Sequence, residues 1–152
     1  MDDFAQPPSP DRLPTLMETG EYDAASTALD RARTADPETR KDAVRTVTEY
    51  VAEGSGVRPL LSSLVGFLDD ETRAVRLTTA KALVDVAAAD PEAATMAVSA
   101  LADRLADEEA FYYVRARCAE ALGYVAVEYP DEVASPETLA DLRIGLEFDE
   151  PV

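Results

Sequence analysis

A triplet of large aliphatic residues returns three times along the chain, as Leu61/Leu64/Leu68, Val98/Leu101/Leu105 and Leu139/Leu142/Leu146, with copies offset by 37 and then 41 residues. Steps of three and four place each triplet on one face of a helix. Repeats of this length predict stacked helix pairs, which cannot bury their apolar faces alone and so share a core with their neighbours. A weaker stripe of small residues, Ala25, Ala28/Leu29 and Ala32, precedes them. Between the leucine triplets lies a second set of stripes: Arg40/Val44/Val47/Val51, Arg76/Ala80/Leu83/Ala87 and Arg115/Ala119/Leu122/Ala126. Each opens on an arginine one turn before its first core residue. There the aliphatic stem can pack while the guanidinium reaches an acid of the preceding turn. The candidate acids are Asp36, Asp69 or Asp70, and Asp107 or Glu108. Arg40, Arg76 and Arg115 are therefore expected to form a ladder that holds the repeats in register.

Helix starts are marked by Asp36-Pro37-Glu38, Asp90-Pro91-Glu92 and Ser135-Pro136-Glu137. Asp or Ser is a good N-cap, proline suits the first helical position, and glutamate complements the positive end of the helix dipole. With these starts the pattern predicts helices over 11–18, 21–34, 37–53, 56–68, 71–89, 91–106, 110–128 and 136–147, separated most clearly at Gly54-Ser55-Gly56. No segment alternates with a period of two, so the predicted fold is all-α: an α-solenoid of stacked antiparallel helix pairs with about seven or eight helices. Residues 1–10, with Pro7, Pro8 and Pro10, read as a flexible lead-in, and 11–149 as a single domain.

The order helix, acidic turn, helix opening on Val-Arg, with Ala four residues after the Arg and Leu three beyond, resembles the HEAT-repeat family in its short HEAT-like form. The resemblance is carried by Val75-Arg76-Leu77-Thr78-Thr79-Ala80-Lys81-Ala82-Leu83 and by Val114-Arg115-Ala116-Arg117-Cys118-Ala119-Glu120-Ala121-Leu122-Gly123, within about residues 21–148. Its first copy departs, with Thr39-Arg40 in place of Val-Arg and Val44 in place of Ala, and its last stops at Phe148-Asp149 before a second helix. Degenerate ends suit a capped array. The resemblance implies a solenoid whose second helices line a concave side used mostly to bind proteins. It also reaches bilin lyases, iron-dependent hydroxylases that use His-Glu pairs, and basic DNA-repair glycosylases.

Charge narrows these options. The 152 residues carry 31 Asp plus Glu against 14 Lys plus Arg, a formal charge of −17, with Lys41 and Lys81 as the only lysines. The carboxylates are spread along the chain and not gathered in one block, as on a cytoplasmic, halophilic protein whose surface stays hydrated at high salt. Such a field repels phosphate backbones and no basic stripe offsets it, so no nucleic-acid partner is expected. The glycosylase option falls with it. The N-terminus, Met1-Asp2-Asp3-Phe4, lacks the basic and apolar regions of a signal peptide. No apolar run approaches the ~20 residues that cross a membrane, so no membrane association is expected.

There is no histidine, which removes Ser-His-Asp and Cys-His sets, the commonest general base, and the hydroxylase option. Gly54-Ser55-Gly56 lacks the Gly-Lys-Ser/Thr of a phosphate loop. One cysteine, Cys118, excludes an internal disulfide or a cysteine metal cluster, and on the stripe Val114/Cys118/Ala121/Val125 it reads as a buried small hydrophobe. Asp69-Asp70-Glu71 and Asp107-Glu108-Glu109 have the donors of a cation site, but their position before helices reads as capping. No metal, cofactor or catalytic residue is expected.

Binding residues are sought on the second helices instead. Asp42/Arg45/Glu49, Thr78/Lys81/Asp85 and Arg117/Glu120/Tyr124 each step by three and four and form a face of mixed sign, suited to a polar protein surface. In the cluster Phe111-Tyr112-Tyr113, the two tyrosines Tyr112 and Tyr113 are possible aromatic anchors. The expected function is a non-catalytic scaffold, adaptor or assembly subunit binding another protein through this concave face. A bilin-lyase-like factor handling a small hydrophobic ligand is the alternative, and self-association through the last leucine triplet and Phe148 is also open.

Overall fold

A computed structural model describes residues 8–51, 55–107, 109–135 and 138. The regular structure of these residues is helical, with no strand among them. The α-helices are α1 (Leu13–Glu18), α2 (Tyr22–Ala32), α3 (Pro37–Glu49), α4 (Leu61–Gly66), α5 (Arg73–Ala89), α6 (Pro91–Ala94), α7 (Val98–Ala106), α8 (Tyr112–Glu128) and α9 (Pro130–Val133). Short 3-10 turns occupy Pro10–Arg12, Ser55–Leu60, Phe67–Asp69 and Thr95–Ala97. The predicted helix 136–147 lies outside the described residues, except for Thr138. The chain divides into two compact units, Met1–Ala82 and Leu83–Val152, and the boundary falls inside α5.

In the first unit α2 is the centre, packed against α1, α3, α4 and the 3-10 turns at 10–12 and 55–60. Its inward face is Ala25, Ala28, Leu29 and Ala32, all fully buried. Three alanines on one face admit close neighbours and leave Leu29 to fill the space between them. Leu61, Leu64 and Leu68 are buried as their spacing predicts, as are Val44, Val47 and Val51. Truncating Leu29 or Leu64 to alanine would cost about 2–5 kcal/mol. Helix α1 ends in a Schellman motif: Gly20, at φ +77, lets the Gly20 amide donate to Met17 and the Glu21 amide to Leu16. In the lead-in, the Pro8 carbonyl accepts from Arg31 Nη1 at 3.4 Å and Pro10 starts a helical turn.

In the second unit α8 is the centre, with α6, α7 and α9 against it. Val98, Leu101 and Leu105 of α7 are buried, and so are Val114, Cys118, Ala121 and Val125 of α8. The third inner stripe is corrected at one position: Arg115 and Leu122 are buried, but Ala119 is exposed. The apolar face of α8 is centred on Cys118 and not on Ala119.

Two predicted helices are interrupted. Segment 56–68 starts as a 3-10 turn through Pro59, which has no amide to continue an α-helical ladder, and becomes α-helical at Leu61. Segment 91–106 breaks at Thr95–Ala97, where Thr95 Oγ1 donates to the Glu92 carbonyl at 2.7 Å and competes with the backbone. The short α9 after Pro130 was not anticipated by periodicity.

Candidate functional site

The predicted binding residues of the first unit lie on α3 and on the opening turns of α5. Asp36 caps α3, its carboxylate accepting from the Thr39 amide at 2.8 Å, and hydrogen bonding to the Thr39 side chain first and its amide second holds its pKa below the ordinary 3.8. The cap fixes the start of α3 and hence the direction in which Asp42, Arg45 and Glu49 project about two to four turns later. All three are exposed. On α5 Thr78 is half-buried and Lys81 is exposed.

Between them is an open groove of about 350 Å³ lined by Arg45, Thr48, Glu49, Thr78, Lys81 and Ala82. Four of these, Arg45, Glu49, Thr78 and Lys81, belong to the predicted face; Asp42 stands at its edge, 3.7 Å from Arg45. That pair is more than half exposed on both sides and binds weakly, so Arg45 can turn toward a ligand at little cost. The hydroxyls of Thr48 and Thr78 donate to Val44 and Ala74 of their own helices, which leaves their oxygens as acceptors. Thr48 and Ala82 were not on the predicted face. Thr48 is one residue from Glu49, and Ala82 one from Lys81, on the side of each helix that turns toward the other. Only the pairing of α3 with α5 identifies them.

The remaining predicted residues lie in the second unit. Asp85 is exposed on the last half of α5, and Arg117, Glu120 and Tyr124 are exposed on α8. Arg117 Nη1 donates to Glu120 Oε1 at 2.8 Å. Tyr112 and Tyr113 stack with ring centroids 4.3 Å apart, Phe111 meets both edge-on, and Tyr113 remains 43% exposed.

The three ladder arginines share one role that the sequence pattern missed. Arg40 Nη1 donates to the Ala35 carbonyl at 2.5 Å, Arg76 Nη1 to the Asp70 carbonyl at 2.6 Å, and Arg115 Nε to the Leu105 carbonyl at 2.8 Å. Each accepting carbonyl belongs to the last turn of the preceding helical segment or the residues just past it, where carbonyls lack intrahelical donors. The arginines thus cap the helix before their own, through the backbone. Arg40 adds an acid, but it is Asp70 of the following turn and not Asp36 of the preceding one, with Thr72 Oγ1 at 3.0 Å as a further partner.

Among the described residues, no three His, Cys, Asp or Glu side chains gather as a metal-binding group. Asp70 is engaged with Arg40 and the Thr72 amide, and Asp107 with Arg104 and the Glu109 amide. Cys118 is fully buried, and burial pushes its thiol from 9.0 up to about 12. No described helix is long and apolar enough to cross a membrane. No protein family, curated protein or solved structure matches this chain.

Proposed function

We propose that the chain is a non-catalytic interaction module, an adaptor or a subunit of a larger assembly, which binds another protein in the groove between α3 and α5. The observation that carries this reading is the composition of that groove. Arg45 and Lys81 supply donors, Glu49 and the two threonine oxygens supply acceptors, and they converge on about 350 Å³ of open space. A partner segment with a carboxylate and a hydrogen-bond donor at matching spacing would satisfy both signs, and such complementarity gives specificity more than raw affinity. On this reading the helix pairs stack as a HEAT-like solenoid, the groove lies on its concave side, and the carboxylate-rich surface adapts the protein to a salty cytoplasm. A small-ligand, lyase-like role has less support, since a buried thiol with so high a pKa is a poor nucleophile.

The test is a charge reversal, Arg45→Glu with Lys81→Glu, compared with the wild type in capture from native lysate held at molar KCl, followed by reconstitution with the purified partner. A partner retained by the wild type and lost by a variant of unchanged thermal stability supports the reading. Equal capture by both proteins removes the groove from the function.

A further inference from the structure

The exposed side of α8 carries a self-complementary pattern of chemistry: read in the opposite direction, tyrosine falls on tyrosine and arginine on glutamate. Tyr113, Arg117, Glu120 and Tyr124 follow one another at steps of four, three and four, so they run along one helical face over about 16 Å. Tyr113 and Tyr124 are each 43% exposed, and Val127, three residues further along the same face, is 79% exposed. Arg117 and Glu120 lie at the middle, paired within the helix and open to solvent.

We propose that this face is the docking site for a second copy of the chain, with α8 antiparallel to α8 about a two-fold axis between Cys118 and Ala119. That axis places Arg117 against Glu120 of the partner subunit and Tyr113 against Tyr124 of the partner subunit, and symmetry makes each contact twice. The two intrahelical Arg-Glu pairs become one ring of alternating charge. On either side of it, tyrosine meets tyrosine, a residue type favoured at interface cores.

Gly123 is an independent pointer to the same surface. It is exposed within α8, and a Cβ built on it meets nothing within 4 Å. Its backbone is not left-handed either, since Gly20 alone has positive φ among the described residues. Nothing among the described residues requires glycine there, and a glycine inside a helix is unfavourable relative to alanine. Together with the exposed Ala116 it leaves room for a second helix backbone to approach closely.

Charge sets the conditions. Each chain carries −17, so two copies repel at long range, while the face itself is balanced by Arg117 and Glu120. Salt screens the long-range term first. Association therefore strengthens as salt rises, and a contact of one helix face gives a weak, concentration-dependent dimer.

The test is sedimentation equilibrium of the full chain across a concentration series at low and at molar KCl. The wild type should dimerise, more tightly at molar salt. Gly123→Gln places a side chain where the single chain has room, so it should fold normally and weaken the dimer about tenfold or more. Arg117→Glu should weaken it similarly, and the swap Arg117→Glu with Glu120→Arg should restore it. A wild type that stays monomeric at every concentration and salt overturns the proposal, as does dimerisation indifferent to Gly123→Gln and Arg117→Glu. The groove variant Arg45→Glu with Lys81→Glu should dimerise like the wild type, so this result is separate from the fate of the proposed function.

Discussion

Arg40 Nε lies 2.8 Å from Asp70 Oδ1, with the two side chains only 9% and 8% exposed, so the turn after the fourth helix reaches the start of the third through a buried ion pair. The same guanidinium serves the Ala35 carbonyl and Thr72 Oγ1, and this full set of partners offsets the desolvation of a buried charge. Replacing Asp70 by alanine strands the cation and should cost about 3 kcal/mol, read as a lower urea midpoint at unchanged slope. The double variant Arg40→Met with Asp70→Leu should lose less than the single one, because no unpaired charge remains. An equal loss in both would show that the carbonyl and threonine contacts carry the stability.

Three glycines should respond to alanine in three ways. Gly20 sits at φ +77, so Gly20→Ala should destabilise by about 1 kcal/mol through backbone strain alone. At Gly66 a Cβ would come within 2.8 Å of Arg33 Nη1, the mobile end of a side chain that lies 5.8 Å from the centre of the Phe67 ring. Displacing that arginine gives up a cation-π contact of about 0.5–1 kcal/mol, and the gain in helix propensity offsets it, so Gly66→Ala should be nearly neutral. Gly123→Ala meets no obstacle and should stabilise the single chain by up to about 1 kcal/mol. Thermal melts of the three variants at one salt concentration test the order.

Cys118 should be silent in the native state. With burial raising its pKa from 9.0 to about 12, against a smaller opposing pull from the Arg104 guanidinium, the thiol stays protonated at pH 8. A thiol reagent should label it only as fast as the chain opens, and urea should speed labelling in step with unfolding. The raised pKa also fixes a sign: the stability tied to the buried neutral thiol is complete below pH 9 and is lost as pH rises from 9 toward 12. Cys118→Ala should flatten that alkaline loss.

The cap of α3 should show the opposite dependence. Hydrogen bonding to Thr39 lowers the Asp36 pKa below 3.8, so its contribution is present above that pH and is lost as the pH falls through the lowered folded value. Asp36→Ala should therefore melt earlier than wild type at neutral pH. The gap should close in acid, and a constant gap would assign the effect to something other than the carboxylate.

Local signals were legible in the sequence wherever one residue decides the outcome. Asp36 and Asp90 cap helices as their Asp-Pro-Glu motifs predict, and Ser135 Oγ accepts from the Thr138 amide at 3.1 Å. The described leucine triplets are buried. What escaped was tertiary. A four-three-four stripe can be drawn at two adjacent registers on an alanine-rich helix; the register of Cys118 is buried as its spacing predicts, and only packing shows that Ala119 of the neighbouring register is exposed. Side-chain charge is visible in a sequence, whereas the carbonyl partners of Arg40, Arg76 and Arg115 are not. The groove was legible in four of its six lining residues: Arg45, Glu49, Thr78 and Lys81 follow from face periodicity, but Thr48 and Ala82 depend on which sides of α3 and α5 face each other.

Arg40 also has a consequence for how the first unit comes apart. Its guanidinium holds a carbonyl before α3, a carboxylate after α4 and a hydroxyl before α5, so displacing that one side chain loosens three junctions together. Elements that touch only their neighbours can open one at a time. Here a single side chain fuses three connections into one cooperative event. Amide exchange at the first turns of α3 and α5 should then report one shared opening, in which the weakest joint is as durable as the group.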